Sequence, residues 1–224
     1  MPTIELIEHS QLTPRVCHFV FQAPFRHEAG QYVALGAAID GAPQTRYYSI
    51  ASPPRPGGQI ELCIQHQGAF ASHLRSLQRG DRLECSEPGG KMRLLDAHRP
   101  AVYIAAGTGV SPMRAILLAQ LGANPLAKAT LLLGARHSSE LLYRDEFDAL
   151  ATQHAGFRFM PTVSGDDATW DGRRGRVLAH VDEAIAGRSR LDAYFCGQRE
   201  MVTLLCERLA AIGIADEQQV YERY

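Results

Sequence analysis

The sequence predicts two domains: an antiparallel β-barrel over residues 1–97, then an α/β domain over residues 98–224 with a parallel sheet and helices on both faces. Three observations carry this. Up to about residue 97 the apolar residues fall in short runs divided by turn-rich pieces such as Pro53-Pro54-Arg55-Pro56-Gly57-Gly58. Beyond residue 100, compact apolar runs alternate with helical patterns. The change falls at Asp96-Ala97-His98-Arg99-Pro100, which reads as a turn between domains.

In the first half, residues 16–21, 31–35, 46–50, 60–64 and 82–85 read as strands, because they alternate or run apolar between turn signals. Short strands at this spacing predict a small barrel, with residues 71–77 as a helix crossing it. In the second half, residues 102–105, 130–133, 157–163 and 193–196 read as strands. Residues 112–121, 139–152, 177–186 and 200–212 read as helices. Regular alternation of the two predicts a parallel sheet. Ligands of such sheets sit at the carboxyl ends of the strands.

Composition narrows the function classes. A net charge of −1 gives no reason to expect nucleic acid or an anionic membrane as partner. The N-terminus lacks the basic start and apolar run of a signal peptide, and no apolar run approaches the roughly 20 residues of a membrane span. Cys17, Cys63, Cys85, Cys196 and Cys206 form no Cys-x-x-Cys pair, which argues against a metal or iron–sulfur site. Scattered thiols in such a chain point to the cytoplasm. The histidines form no His-x-His or His-Glu-x-x-His set, so no metal site is expected.

Two segments about sixty residues apart carry the chemistry. In Arg46-Tyr47-Tyr48-Ser49-Ile50, an extended strand puts Arg46 and Tyr48 on one face. A forked cation that never deprotonates suits a pyrophosphate, a flat ring suits a flavin, and the Ser49 hydroxyl suits the ring edge. Gly68-Ala69-Phe70-Ala71-Ser72 is a glycine turn opening a helix whose free amides suit phosphate. His66 and His73 flank it. Glu87-Pro88-Gly89-Gly90-Lys91-Met92 is a second turn that lets backbone approach a ligand.

The second segment, Val102-Tyr103-Ile104-Ala105-Ala106-Gly107-Thr108-Gly109-Val110-Ser111-Pro112, runs from a strand through Gly-x-Gly into a helix. Ser111 suits the N-cap and Pro112 the first helical position. The third glycine of the common dinucleotide fingerprint is replaced by Pro112. Cys196-Gly197 closes the last predicted strand at the same edge of the sheet. Taken by itself, Tyr224 at the chain end reads as frayed.

With these residues in order, the chain resembles the ferredoxin–NADP⁺ reductase superfamily over nearly its whole length. Arg46-x-Tyr48-Ser49 resembles the family's flavin motif, Gly107-Thr108-Gly109-Val110-Ser111-Pro112 its nicotinamide-dinucleotide loop, Cys196-Gly197 its Cys-Gly pair, and Glu222-Arg223-Tyr224 its Glu-x-aromatic ending. The resemblance implies FAD and NADH or NADPH as cofactors. Arg46 would bind the flavin pyrophosphate, Tyr48 would pack on the ring, and Ser49 would bond near N5. Ile50, Gly68, Phe70, Ala71 and Ser72 would complete that site. Gly107, Thr108, Gly109, Ser111, Pro112, Arg136 and Gly197 would hold the dinucleotide. Cys196 and Glu222 would shape the pocket for hydride transfer, and Tyr224 would cover the flavin until nicotinamide enters.

The chain departs from the family pattern at Ala71, where Ser is usual, with Ser72 next to it. Ser164-Gly165 replaces a Ser-Arg pair, and Asp166-Asp167 follow. These changes and Trp170-x-Gly172 lean the donor toward NADH, although Arg136, Arg173 and Arg174 could restore a phosphate site. Trp170 suits either the adenosine side or packing. The implied function is an FAD-dependent NAD(P)H oxidoreductase that passes electrons to a separate ferredoxin, flavodoxin or oxygenase component. A flavin reductase releasing free reduced flavin is one alternative, and a non-catalytic electron-transfer subunit is another.

Overall fold

The computed structural model describes residues 2–224. In the first half the strands are β1 (Thr3–Thr13), β2 (Val16–Gln22), β3 (Tyr32–Ile39), β4 (Ala42–Ser49), β5 (Gln59–Gln65) and β6 (Arg82–Cys85). Helix α1 (Gly68–Ser76) lies between the last two. They pair antiparallel in the order β4-β3-β6-β1-β2-β5. The two ends meet: Ile50 bridges Leu62, and the Ala51 amide donates to Glu61 O at 2.7 Å. A sheet whose ends pair has no open edge, which makes this a barrel. Ile4, Leu6, Phe19, Phe21, Val33, Leu35, Ile60 and Leu62 fill it, with Phe70 and Leu74 of α1 packed against them.

The longest strand, β1, was not expected from the sequence. Only its first third alternates; Glu8, His9, Ser10 and Gln11 are all exposed. Register shifts between Leu6 and Glu8 and between Gln11 and Thr13 break the period of two. A bulge turns successive side chains to the same side and erases the pattern.

The second half contains β7 (Ala101–Ala106), α2 (Val110–Ala123), β8 (Ala129–Ala135), α3 (Arg144–Gln153), β9 (Phe157–Val163), β10 (Arg173–Arg174), α4 (Val181–Ile185), β11 (Asp192–Gly197), α5 (Arg199–Ala211) and β12 (Gln219–Arg223). The strand order is β10-β9-β8-β7-β11-β12, parallel throughout. Helices cover both faces. Met113, Ile116, Leu117 and Phe147 of α2 and α3 pack on one, and Val181, Ile185, Val202, Leu205 and Leu209 of α4 and α5 on the other. The chain leaves β7 toward β8 and later returns to β11 on β7's other side. That reversal opens a crevice at the carboxyl ends of β7 and β11.

Three helix expectations need correction. Residues 139–152 split into a 3-10 turn (Ser138–Glu140) and α3, because Tyr143 takes a left-handed conformation with φ of 57°. Residues 177–186 likewise split into a 3-10 turn (Val177–His180) and α4. Helix α2 begins at Val110, not Pro112, and its N-cap is Gly109, not Ser111. The 3-10 turn Gly107–Gly109 already carries right-handed helical dihedrals at Gly109, so the helix runs on from it without a side-chain cap.

The two halves share apolar packing. Val16, Ala29, Ala51, Cys63 and Met92 of the barrel half join the cluster that holds Val110, Met113 and Ile116. Helix α2 is buried on nearly every side, as expected of a helix between a sheet and a barrel. The connecting segment is pinned at the other end of the sheet. There the Leu95 amide donates to the Tyr194 hydroxyl at 2.9 Å, and Arg99 donates to Asp192 Oδ1 at 2.8 Å.

Candidate functional site

On the barrel, β4 presents the side chains singled out in the sequence. Arg46 is exposed, and its guanidinium lies 5.8 Å from the Phe70 ring centroid. Tyr48 is half-buried, its ring 6.4 Å from that of Phe70. These residues therefore do share one face, as their spacing predicts. Among the described residues Arg46 has no carboxylate within salt-bridge distance and donates only to Thr45 O and Gln44 Oε1, at 2.9 and 3.1 Å. Gly68 opens α1 with φ of 82°, with open space where a Cβ would stand. The N-cap Gln67 makes no side-chain cap bond, so the first amides of this nine-residue helix have no side-chain partner there. A pyrophosphate fits this set: an exposed fork of donors, uncapped amides and an aromatic wall. Ile50 and Ala71, by contrast, are buried in the barrel. The Ser72 hydroxyl donates to Gly68 O at 3.2 Å and meets His66 Nε2 at 3.3 Å.

Ser49 is half-buried and pairs with Tyr32 across β3. Tyr32 in turn exchanges backbone hydrogen bonds with Gly89, both 2.9 Å. Gly90, with φ of 105°, lies so close that a Cβ would come within 3.1 Å of the Tyr32 ring and 3.3 Å of Glu222 Oε1. The chain end thus reaches the glycine turn of the barrel half.

In the crevice, backbone does most of the work. A Cβ on Gly109 would sit 2.4 Å from Cys196 O, so only glycine lets the turn after β7 lie against the end of β11. Gly107, with φ of 55°, has nothing within 4 Å of a Cβ and faces open space. Cys196 pairs with Ala105 on one side and Glu222 on the other. Burial pushes its thiol up to about 12, with Glu222 adding to the effect. It is a neutral packing group there, not a nucleophile. Burial also raises the Glu222 carboxyl. Tyr224 is not frayed: its amide donates to Gly197 O at 3.2 Å and its hydroxyl to Ala106 O at 3.3 Å, while its surface stays 64% exposed. Strand β12, which holds it there, alternates too weakly in sequence to have been expected.

A cavity of about 620 Å³ runs from this crevice between the halves. The second half contributes Gly107, Thr108, Arg136, Arg176, Gln198 and Tyr224; the barrel half contributes Thr13, Arg15, Val16 and Gln65. Neither Ser111 nor Pro112 lines it. Both are buried, and the Ser111 hydroxyl has no hydrogen-bond partner among the described residues. Open backbone at Gly107, with three arginines that have no carboxylate within salt-bridge distance among the described residues, suits a dinucleotide's phosphates. Arg15, Gln65 and Arg176 carried no motif in the sequence; only the fold brings them to the cavity.

Arg136 and Arg176 also face a smaller pocket of about 390 Å³ with Ser164, Gly165 and Gly175. Arg173 and Arg174 do not. Arg173 forks onto Glu183, and Arg174 donates to the carbonyls of Asp167 and Trp170 at 2.9 and 2.6 Å. The Asp167 carboxylate is spent on a turn, accepting from the amides of Ser138 and Thr169 and from the Thr169 hydroxyl. Those bonds hold it well below the usual carboxylate range. Trp170 is buried and donates to Arg173 O at 2.7 Å, which is a packing role.

Sequence reasoning also missed Arg114 of α2, which is 6% exposed and bonds across the boundary between the halves. Its Nη1 donates to Ala51 O at 2.7 Å and Glu61 Oε2 at 2.6 Å, and its Nε and Nη2 donate to Glu146 at 2.7 and 2.9 Å.

Comparisons with known proteins agree with this arrangement. A family model described as an oxidoreductase FAD-binding domain matches residues 3–94, and one described as an oxidoreductase NAD-binding domain matches residues 103–207. Ferredoxin–NADP reductase B of Sorangium cellulosum is 36% identical over 210 residues, 89% of this chain and 86% of that protein. An NAD(P)H-flavin reductase of Vibrio harveyi is 32% identical over 192 residues, 80% of this chain and 78% of that one. Several curated relatives are longer, among them reductase or electron transfer components of oxygenases, of which the chain spans 57% to 58%. The crystal structure of the Amycolatopsis cytochrome P450 reductase GcoB superposes with a TM-score of 0.88 at 25% identity, covering 99% of this chain and 69% of that one. With an FAD-binding half, an NAD-binding half and a full-length relative at this identity, the chain belongs to the ferredoxin–NADP⁺ reductase superfamily of FAD- and NAD(P)H-dependent oxidoreductases.

Proposed function

We propose that this chain oxidises NAD(P)H through a bound FAD and passes the electrons to a separate carrier: a ferredoxin, a flavodoxin or an oxygenase component. The observation that carries this reading is the convergence of both sites on the chain end. Tyr224 bonds to Ala106 and Gly197 in the crevice, while Glu222, two residues earlier, reaches Gly90 of the barrel half.

Bound FAD supplies a ring that takes a hydride, two electrons and one proton, from C4 of the nicotinamide and yields the electrons to the acceptor. The chain's own part is positioning. The barrel, residues 1–97, holds FAD: Arg46 binds its pyrophosphate with the start of α1, Tyr48 packs on the ring, and the Ser49 hydroxyl bonds at the ring edge. Residues 98–224 hold the dinucleotide, with the backbone of Gly107 and Thr108 at its pyrophosphate. The Cys196 thiol, which burial keeps protonated, bounds the pocket beside the Glu222 carboxyl, whose pKa burial raises. Tyr224, held by its bonds to Gly197 and Ala106, would cover the flavin ring and would have to yield for the nicotinamide to enter.

Arg136, Arg176 and Ser164 support acceptance of a 2′-phosphate, so NADPH serves as donor as well as NADH. The sequence argument for NADH leaned on Asp166-Asp167, and the carboxylate of Asp167 is spent on its own turn. The five cysteines are free thiols, four of them buried, which supports a cytoplasmic setting.

A second reading, an NAD(P)H:flavin reductase with flavin as a released substrate, is favoured by the similarity over most of its length to the Vibrio harveyi protein. The test is the anaerobic visible spectrum of the purified protein, titrated separately with NADH and NADPH. A yellow protein bleached by nucleotide is the expected result. A colourless protein that oxidises NAD(P)H only with added flavin supports the second reading. A yellow protein that neither nucleotide bleaches overturns both.

A further inference from the structure

We infer that Arg114 is a positioning residue for hydride transfer: one guanidinium ties the strand that carries the flavin-side residues to the helix that starts at the nucleotide loop. The inference rests on the function proposed above.

The two groups that must meet belong to Ser49 and Gly109, which lie sixty residues apart along the chain. Arg114 makes a far shorter path. It stands five residues after Gly109 on α2, and it donates to the carbonyl of Ala51, two residues after Ser49. On the same side it donates to Glu61. That strand pair is itself locked, with the Ala51 amide donating to Glu61 O at 2.7 Å and the Ser52 hydroxyl accepting from the Glu61 amide at 3.1 Å. On the other side a two-point fork onto Glu146 fixes α3. The face of the guanidinium lies 4.6 Å from the Tyr143 ring centroid.

The arrangement is over-determined. Glu61 also pairs with Arg55, and its Oε2 lies 3.7 Å from His18 Nε2. His18 Nδ1 hydrogen-bonds the Tyr143 hydroxyl at 2.9 Å. Tyr143 holds a left-handed backbone at φ of 57°, a conformation a bulky residue keeps only where its surroundings enforce it. Buried ion pairs are weak devices for stability alone, since apolar side chains of the same volume often serve as well. What a planar five-donor fork adds is direction. A shift of about 1 Å between reacting groups costs on the order of 100-fold in rate, so the angle between the two halves matters more than the strength of the clamp.

The experiment compares wild type with Arg114→Lys, which keeps the charge and loses the fork. On the flavin-loaded proteins, rapid mixing with saturating NADPH gives the limiting rate of flavin bleaching and the long-wavelength absorbance of stacked nicotinamide and flavin. Titration gives the nucleotide dissociation constant. On the flavin-free proteins, hydrogen–deuterium exchange is followed at residues 50–52 and 107–110. Expected are a limiting rate at least about 10-fold lower, a weaker long-wavelength band, a dissociation constant within about 2-fold of wild type, and faster exchange at both stretches together. A wild-type rate and band in Arg114→Lys overturn the positioning role, whatever happens to thermal stability. If that variant does not fold, Glu146→Gln decides: it leaves both barrel bonds in place and weakens the α3 fork. The same pattern at smaller amplitude supports the role, and wild-type behaviour overturns it. A wild-type protein that no nucleotide bleaches overturns the proposed function and this role together.

Discussion

The two halves present opposite kinds of surface to the cofactors proposed for them. The barrel offers side chains: exposed Arg46 and half-buried Tyr48 share one face of β4, and Arg46 hydrogen-bonds only its neighbours Thr45 and Gln44 among the described residues. The α/β half offers backbone. There the surface proposed for the dinucleotide is a glycine turn, wedged so tightly against β11 that no Cβ fits at Gly109. The difference separates function from stability on one side and fuses them on the other. An exposed side chain can be removed and the fold does not notice; a backbone contact between buried strands cannot be altered without moving the sheet.

The largest expected effect breaks the fused side. Gly109→Ala places a methyl 2.4 Å from a carbonyl of β11, a central strand flanked by β7 and β12 that has no room to retreat. Overpacking of this kind costs about 1–3 kcal/mol, and displacement of the turn should lower kcat/KM for the nucleotide by roughly 100-fold. Because the barrel is untouched, flavin content should stay near wild type. Steady-state kinetics with flavin-to-protein absorbance ratios check this. Loss of flavin alongside loss of rate would show that the two sites are not separable in this way.

Arg46→Ala tests the separable side. Hydrogen bonds to charged groups contribute about 1.5–3 kcal/mol, so flavin binding should weaken by roughly 10- to 100-fold. The melting temperature of the flavin-free protein should move little, because Arg46 is exposed and hydrogen-bonds only its neighbours Thr45 and Gln44 among the described residues. Calorimetry on the flavin-free protein checks both.

The same contrast explains what could be read in the sequence. Arg46 and Tyr48 were legible because a strand's period of two is local, and Gly107 and Gly109 because glycine at a strand-to-helix turn has few other uses. The fold class followed from the same local periods. What failed depended on contacts that no local pattern records. Ser111 looks like an N-cap, but the helix had already begun at Gly109. Strand β1 hid behind two bulges, and β12 behind a polar edge. Arg114 reads as one more helical residue because its partners, Ala51, Glu61 and Glu146, are spread across almost a hundred residues. Of the three arginines the sequence offered for a phosphate, Arg136 faces the pocket, but Glu183 and two carbonyls take Arg173 and Arg174, and Arg176 faces the pocket in their place.

That substitution sharpens the comparison inside the α/β half, where side chains line the pocket proposed for a 2′-phosphate. Arg136→Ser and Arg176→Ser should each lower kcat/KM for NADPH by about 10-fold, the value of one exposed charge-assisted contact. NADH should change by less than about 2-fold. Equal losses for both nucleotides would assign these arginines to the pyrophosphate instead of a 2′-phosphate.

The smallest effect lies where the halves join, at His18 on the barrel side. Burial lowers its pKa below the ordinary 6.5; Glu61 pulls it up and Arg114 pushes it down again. A histidine held neutral in the folded state takes up fewer protons than the unfolded chain, so stability must fall as pH drops through 6.5. His27 adds to this in the same direction, its pKa lowered by burial against the pull of its bond to the Ser52 carbonyl. Glu61 does not contribute in that window: burial works to raise its pKa, but Arg114 and Arg55 outweigh this and leave it below 4.5, so its share is lost only in more acid solution. Urea unfolding at pH 7.5 and 5.5 should therefore show a modestly lower midpoint at the lower pH with an unchanged slope. In His18→Gln the drop should shrink, because one of the two histidines whose pKa burial lowers is gone. A drop of the same size in the variant would place the titrating group away from the join, and a rise in stability at pH 5.5 would mean that His18 pairs with Glu61 as a cation in the folded protein.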